Sequence, residues 1–288
     1  MTKQLDQPVR LPESRGTFEH QNEPALTGPT VVGRRIQPGR YAVGLVTHLV
    51  AREFKLRYRQ AFLGWAWAVA EPLMRFAVLS LVFTKILPLG IPDYSAHLFT
   101  GLIAWTWFSS GLLSATNSAV DRRELFMRPE LPRAAVPVVS VLADGLDYLA
   151  ALPILAYVLL QGDLISLTAL ALPIVLAVQF FLTLGLGYFL SAANVYLRDV
   201  RHMVLVALSL MFYLTPIFYS VDAVPESFRT VIRLNPMTQL LDAYRAILIE
   251  GRVPPIGPFF TLAGGSVLLC LAGYVLYSHA SRSFLDEL

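Results

Sequence analysis

Six long apolar runs, separated by short charged segments, leave this chain few folds to adopt. They fall at approximately Gly64–Leu87, Ala96–Ala119, Val136–Leu160, Leu164–Tyr196, Met203–Tyr219 and Pro258–His279. Crossing the roughly 30 Å hydrocarbon core of a bilayer takes about 20 mostly apolar residues. Backbone polar groups in lipid must be satisfied within the segment, so runs of this length are helices. Composition agrees: 55% of the 288 residues are hydrophobic and 15% are charged, where soluble domains carry roughly 25% charged residues. The predicted fold class is all-α, a polytopic integral membrane protein with six transmembrane helices. The fourth run exceeds one crossing, so part of it is expected on the cytoplasmic side. The fifth is short and ends in Thr215-Pro216, where a proline breaks or kinks a helix.

Basic residues set the orientation. Arg40, Arg52, Lys55, Arg57 and Arg59 precede the first run; Arg122, Arg123, Arg128 and Arg133 separate the second and third; Arg198 and Arg201 separate the fourth and fifth. Those segments share one side, which the positive-inside rule makes cytoplasmic. Both termini are then inside. The loop of residues 220–257 is an exception, because it holds Arg229, Arg233, Arg245 and Arg252. Four acids (Asp222, Glu226, Asp242 and Glu250) partly balance them. The net charge of +3 reflects this topology rather than a nucleic-acid footprint. Residues 1–39 are polar and proline-rich, without a signal-type apolar core. They read as a disordered cytoplasmic tail, ahead of a transmembrane domain over 40–288.

Two segments are amphipathic. Within Arg40–Gln60, His48, Arg52, Lys55 and Arg59 share one helical face and Val46, Val50 and Phe54 another, with Glu53 and Arg57 spaced to pair at i, i+4. A basic amphipathic helix beside a span lies in the membrane interface. In the long outer loop, Val231–Leu234 and Leu240–Ile249 carry apolar residues at helical spacing. Asn235 is placed to cap the second piece and Pro236 suits its first turn. They read as two short helices that enter or lie on the outer leaflet before the last span, or as an ordinary outer loop.

Motifs for catalysis are missing. No phosphate loop, nucleophile elbow or zinc-protease helix occurs, and no histidine pair has metal-ligand spacing. The one cysteine, Cys270, excludes an intrachain disulfide and a structural zinc site. Asp144 and Asp147 lie at i, i+3 in an apolar stretch. They suit either the acid pair of a metal-dependent glycosyl transferase or a polar face inside a bundle. Glu71 and Arg75, at i, i+4 within the first run, suit either a salt bridge to each other or a substrate contact, because intramembrane charges pair or face the interior.

Aromatic residues suggest a path. Trp65 and Trp67 suit the interfacial aromatic belt. Trp105, Trp107 and Phe108 lie deeper in their run, and Phe212, Tyr213 and Tyr219 flank the break in the fifth. Flat apolar rings match the C–H face of a sugar and leave its hydroxyls free. Between the second and third runs, Asp121, Arg122, Arg123, Glu124, Leu125, Phe126 and Arg128 fit a short charged helix. Asp121 would stand at its N-terminus and Pro129 and Pro132 would stop it. Such a helix suits a lever that takes force from a cytoplasmic partner; the plainer reading is a charged loop that sets topology.

Four stretches together resemble a known family. They are Leu49 through Trp67 to Glu71-Pro72; Phe126 through Arg133 with Pro137; Asn194 through Val200 with Thr215-Pro216 and Tyr219; and Leu234 through Thr238 with Tyr244-Arg245, ending in Arg282 through Asp286. In order and spacing they resemble the permease subunits of ABC-2 type exporters of polysaccharides and teichoic acids, over residues 40–288. Glu71 departs from that pattern, which has a neutral polar residue there. The resemblance implies a homodimer with two copies of a nucleotide-binding ABC ATPase. ATP and magnesium would then sit on that partner, and this chain would hold no cofactor. It implies that Asp121–Arg128 docks on the ATPase as a coupling helix, with Arg198 and Asp199 in a second contact. It implies re-entrant helices over Val224–Leu248. Finally, it implies a glycan or polyol-phosphate polymer on a polyprenyl pyrophosphate carrier. The basic patch of Arg52, Lys55, Arg57 and Arg59 suits that anionic head group. A permease for a small lipid or drug, and a membrane enzyme acting on polyprenyl phosphates, are the alternative readings.

Overall fold

The computed structural model describes residues 38–58, 64–123 and 132–284. The predicted tail therefore lies almost wholly outside the described residues, as do Arg59, Glu124, Leu125, Phe126 and Arg128. Every described element is helical. The first helix, α1 (Pro38–Tyr58), is followed by a 3-10 turn and α2 (Trp67–Leu81), which runs into a π-helical turn at Val82–Ile86. Next come α3 (Tyr94–Asp121), α4 (Ala135–Gln161), a 3-10 turn at Leu167–Ala171 and α5 (Leu172–Tyr196). After them follow α6 (Val200–Leu214), α7 (Glu226–Leu234), α8 (Pro236–Leu248) and α9 (Ile256–Ala280).

Five stretches are long and apolar enough to cross a membrane: Trp67–Ile86, α3, α4, Leu167–Tyr196 and α9. The sixth expected run differs. Its helix, α6, has 15 residues and spans about 22 Å at 1.5 Å per residue, short of a full crossing. The cause is local and was visible: Thr215 adopts an extended conformation (φ −88°, ψ 133°) ahead of Pro216, as a pre-proline residue prefers.

Burial grades the helices. In the most apolar part of α3, 72% of residues are buried, against 11% for the α2 stretch and 17% for α9. The centre is thus α3, flanked by α4 and α5, with α9 packed along α5. Leu98, Phe99 and Leu102 of α3 are fully enclosed, as are Leu240, Leu241 and Tyr244 of α8. Small residues set the α5–α9 crossing: a Cβ on Gly185 would stand 2.8 Å from the Cys270 backbone nitrogen, and one on Gly273 would stand 2.7 Å from the Gly185 carbonyl oxygen. Close backbone approach through small residues is a main source of helix association in lipid.

The loop before the last span is folded, as its periodicity predicts. The Asn235 side chain accepts from Met237 N–H at 3.0 Å, capping α8, and donates to Thr215 Oγ1 at 2.9 Å. Pro236 occupies the first turn. The helix α7 keeps an unburied apolar edge of Phe228, Val231 and Leu234.

Candidate functional site: a membrane cavity with a charged junction

A cavity of about 970 Å³ lies among α2, α3, α4 and α6. Trp105, Trp107, Tyr148, Phe212 and Tyr213 give it aromatic walls, and Thr106, Ser109 and Ser110 supply hydroxyls. Its charged lining is Arg57, Glu71, Arg75, Asp144 and Asp147. A second, polar cavity of about 410 Å³ is lined by Glu53, Asn117, Ser118, Asp121 and Arg122. Arg57 and Leu113 line both cavities, so the Arg57 guanidinium stands at their junction.

Ion pairs hold the junction. Arg57 Nη1 donates to Asp144 Oδ1 at 2.6 Å and to Asp147 Oδ2 at 2.8 Å. The two acids share a face of α4 through their i, i+3 spacing. Asp144 is 2% exposed, and its second oxygen, Oδ2, has no hydrogen-bond partner among the described residues. Arg122 donates to Glu53 at 2.7 Å and to Ser140 Oγ at 2.8 Å. Charges from α1, α3 and α4 thus interlock. The pairing expected within α1 is superseded by these links: Glu53 meets Arg122, and Arg57 reaches the acids of α4. A partly buried charge is costly unless it is paired, so these distant acids and bases meet. Glu71 and Arg75 do form their expected i, i+4 pair, at 2.7 Å, with both side chains more than half exposed.

The aromatic residues divide. Trp105 is 3% exposed and packs on Phe108 and Phe212, with ring centroids 5.6 and 6.1 Å away. Trp107 donates its indole N–H to the Val141 carbonyl at 3.1 Å and lies over Tyr148. Gly145 makes room for it, since a Cβ there would come within 3.2 Å of Trp107 Nε1. Both tryptophans are core residues whose edges reach the cavity. Phe108 is buried behind Trp105 and does not line the cavity, whereas Phe212 and Tyr213 do. Tyr219 sits elsewhere: its hydroxyl donates to the Leu214 carbonyl at 3.0 Å, satisfying the open end of α6.

At the end holding the loops after α3 and α5, Asp121 is the last residue of α3 and the chain turns at Arg122 (φ −119°, ψ 40°). The expectation that Asp121 opens the next helix is corrected: the helical run of the span continues through it. Arg123 is exposed, as are Arg198 and Asp199 in the three-residue link between α5 and α6. Asn194 ties that link to α3, donating to the Thr116 carbonyl at 3.3 Å and accepting from Arg201 N–H at 3.2 Å. Arg52 and Lys55 are exposed along α1.

Around α8, a polar network escaped the sequence reading because its members lie far apart in the chain. Tyr244 donates to Gln179 Oε1 at 2.8 Å, and Gln179 donates to the Ala104 carbonyl at 2.9 Å. Arg245 is 5% exposed and donates to the Pro216 and Ile217 carbonyls at 2.7 and 3.0 Å. Burial lowers its pKa to about 10 and the nearby acids Asp242 and Glu250 oppose that shift, so it stays charged at neutral pH. It closes the carbonyls freed where α6 breaks.

Residues 44–249 match the ABC-2 type transporter family. The chain is 33% identical to the O-antigen export system permease protein RfbA of Myxococcus xanthus over 85% of its own length and 95% of that protein. It is 30% identical to the Klebsiella pneumoniae protein of that name, over 73% of this chain and 82% of the relative. It is 22% identical to the polysialic acid transport protein KpsM of Escherichia coli, over 84% and 95%. With its apolar helices and its cavity within the bundle, the chain is a multi-pass membrane transport subunit, not an enzyme, and belongs to the ABC-2 type transporter family.

Proposed function

We propose that this protein is the permease of an ATP-driven exporter. Its substrate would be a bacterial surface polysaccharide carried on polyprenyl pyrophosphate, moved from the cytoplasm to the outer face of the inner membrane. The observation that carries the reading is the cavity among α2, α3, α4 and α6. It pairs aromatic walls suited to sugar rings with an arginine, Arg57, of the kind that binds a phosphate head group. The relatives named for O-antigen export and polysialic acid transport support the same substrate class.

In this mechanism residues 40–288 form the transmembrane domain, and two copies form the path at their interface. The weakly buried α2 suits that contact. Helix α6 together with Thr215–Tyr219 completes a sixth crossing. Helix α1 lies in the cytoplasmic interface and presents Arg52, Lys55 and Arg57 to the head group, which Arg59, the next basic residue in the sequence, also serves. Helices α7 and α8 are re-entrant from the outer side, and the apolar edge of Phe228, Val231 and Leu234 suits burial in lipid. Both termini are cytoplasmic. A separate ABC ATPase binds ATP and magnesium. It engages Asp121, Arg123, Glu124, Leu125, Phe126 and Arg128, with Arg198 and Asp199 as the second contact. Arg122 points inward to Glu53 and Ser140, so it passes the motion of that segment to α1 and α4. The bundle then exchanges between two arrangements of the cavity, each favoured by a different nucleotide state of the partner.

The test is ATP turnover of the permease with its ATPase in lipid nanodiscs, with and without polyprenyl-linked polysaccharide. A stable complex whose turnover responds to the glycan is expected. A permease that binds no ATPase would refute the reading.

A further inference from the structure

We infer that α5 and α9 form one strut through the bundle and that Arg133 fastens this strut to the segment between α3 and α4, so that motion of that segment reaches α8. This rests on the reading above that a partner ATPase engages that segment. It adds to that reading a positioning residue and a route for the motion.

The first observation is how the segment is held. Its entry is tied by Arg122 to Glu53 of α1 and to Ser140 of α4. Its exit is tied to other helices. Pro132–Val136 forms the opening turn of α4, in which the Ala135 and Val136 N–H groups donate to the Pro132 and Arg133 carbonyls at 2.8 and 3.1 Å. From this turn the half-buried Arg133 donates to the carbonyl of Ser281, the residue that ends α9. The neighbouring Ala134 carbonyl accepts from the Tyr188 hydroxyl of α5 at 2.9 Å. A cation at the last carbonyls of a helix is held by hydrogen bonding and by the helix dipole together.

The second observation is that α5 and α9 are locked to each other. Their backbones meet at Gly185 and Gly273, where a Cβ on either would stand within 2.8 Å of backbone atoms of the other helix. Tyr188 packs against Tyr274 and Tyr277, with ring centroids 6.0 and 5.3 Å away. Packing this close transmits displacement rather than absorbing it. Because α9 is otherwise weakly buried, its position follows α5. The third observation is the far end of the strut. Nine residues before Tyr188, about 14 Å along the axis of α5, the buried Gln179 accepts from the buried Tyr244 of α8 at 2.8 Å. Among the described residues, none from α5 or α9 lines either cavity. The strut therefore carries motion past the cavities and not through their walls.

The experiment follows hydrogen exchange in the full-length permease bound to its ATPase in nanodiscs, first without nucleotide and then trapped with ATP and vanadate. Wild type is compared with Arg133→Gln, Arg133→Lys and Tyr188→Phe. In wild type, exchange in both α3 and α8 is expected to differ between the two states by about fivefold or more. Arg133→Gln is expected to keep the change in α3 and lose most of the change in α8. Arg133→Lys, which retains a cationic donor, is expected to restore it. Tyr188→Phe removes one bond and no ring contact, so a partial loss in α8 is expected; it carries the comparison if Arg133→Gln does not fold. An arginine that only stabilises the fold would raise exchange near the end of α9 in both states and leave the nucleotide-dependent change in α8 as in wild type. That result overturns the inference and leaves the ATPase reading standing, as does a wild type in which α3 responds and α8 does not. A wild type that binds no ATPase overturns both.

Discussion

Replacing Gly185 with alanine tests whether the α5–α9 crossing is as close as described. The new Cβ would stand 2.8 Å from the Cys270 backbone nitrogen and 3.0 Å from its Cα, where ordinary contact begins at 3.4 Å. Backbone cannot rotate aside as a side chain does, so α9 must move out by about 0.6 Å or its packing must rearrange. Overpacking of this kind costs about 1–3 kcal/mol, against about 1 kcal/mol gained from the helix propensity of alanine over glycine. The control is Gly264→Ala on α9, where a Cβ meets nothing within 4 Å and only the gain applies. Relative to that control, Gly185→Ala is expected to lose about 1–3 kcal/mol in unfolding titrations in mixed micelles. The chain's one cysteine, Cys270, is 8% exposed at this crossing, and its maleimide labelling should accelerate in the same variant. Equal stability of the two variants, with unchanged labelling, would refute the close crossing.

Further expectations concern single contacts. Tyr244→Phe leaves the buried Gln179 carbonyl oxygen without its donor and should cost about 1–3 kcal/mol; a neutral change would remove the network from the account. Asn235→Ala deletes both the α8 cap and the bond to Thr215, with about 0.5–2 kcal/mol expected in the same titration, and Asn235→Ser should restore most of the cap. A double-mutant cycle on Glu53→Gln and Arg122→Gln should give a coupling of about 0.2–1 kcal/mol, because the pair is partly exposed, and additive losses would place Arg122 outside the interlock. In cells, Trp107→Phe should keep the fold but loosen α3 from α4 through loss of the Val141 bond, read as faster hydrogen exchange in α4.

Local chemistry explains what could be read in advance. Asn235-Pro236 marks a helix start within three residues of chain, and Thr215-Pro216 marks a stop in two. Each acts through backbone geometry that no distant partner overrides. Glu71 and Arg75 are one helical turn apart, so their pairing needed no tertiary knowledge. Arg57 with Asp144 and Asp147 is the opposite case. These residues lie 87 and 90 positions apart, and periodicity indicated the faces that they occupy without saying which faces meet. The same limit hid the Tyr244–Gln179–Ala104 chain. Asp121 was misplaced because an acid at a helix start is favoured by the dipole, whereas here the preceding span runs on through it. The tryptophans lie deep in their run by sequence position alone, but rotation about the helix axis decides which edge meets the cavity, and packing against Gly145 and Phe212 fixes it.

The most direct test of the account is translocation itself. The permease and its ATPase would be reconstituted in proteoliposomes with a fluorescently labelled polyprenyl-linked polysaccharide, and ATP-dependent loss of the label's accessibility to an external quencher would be followed. In vesicles with the nucleotide sites facing out, the account predicts inward movement of the glycan that needs ATP and both proteins and slows in Arg57→Gln. Movement without ATP or without the permease, or active ATP turnover that moves no glycan, would contradict it.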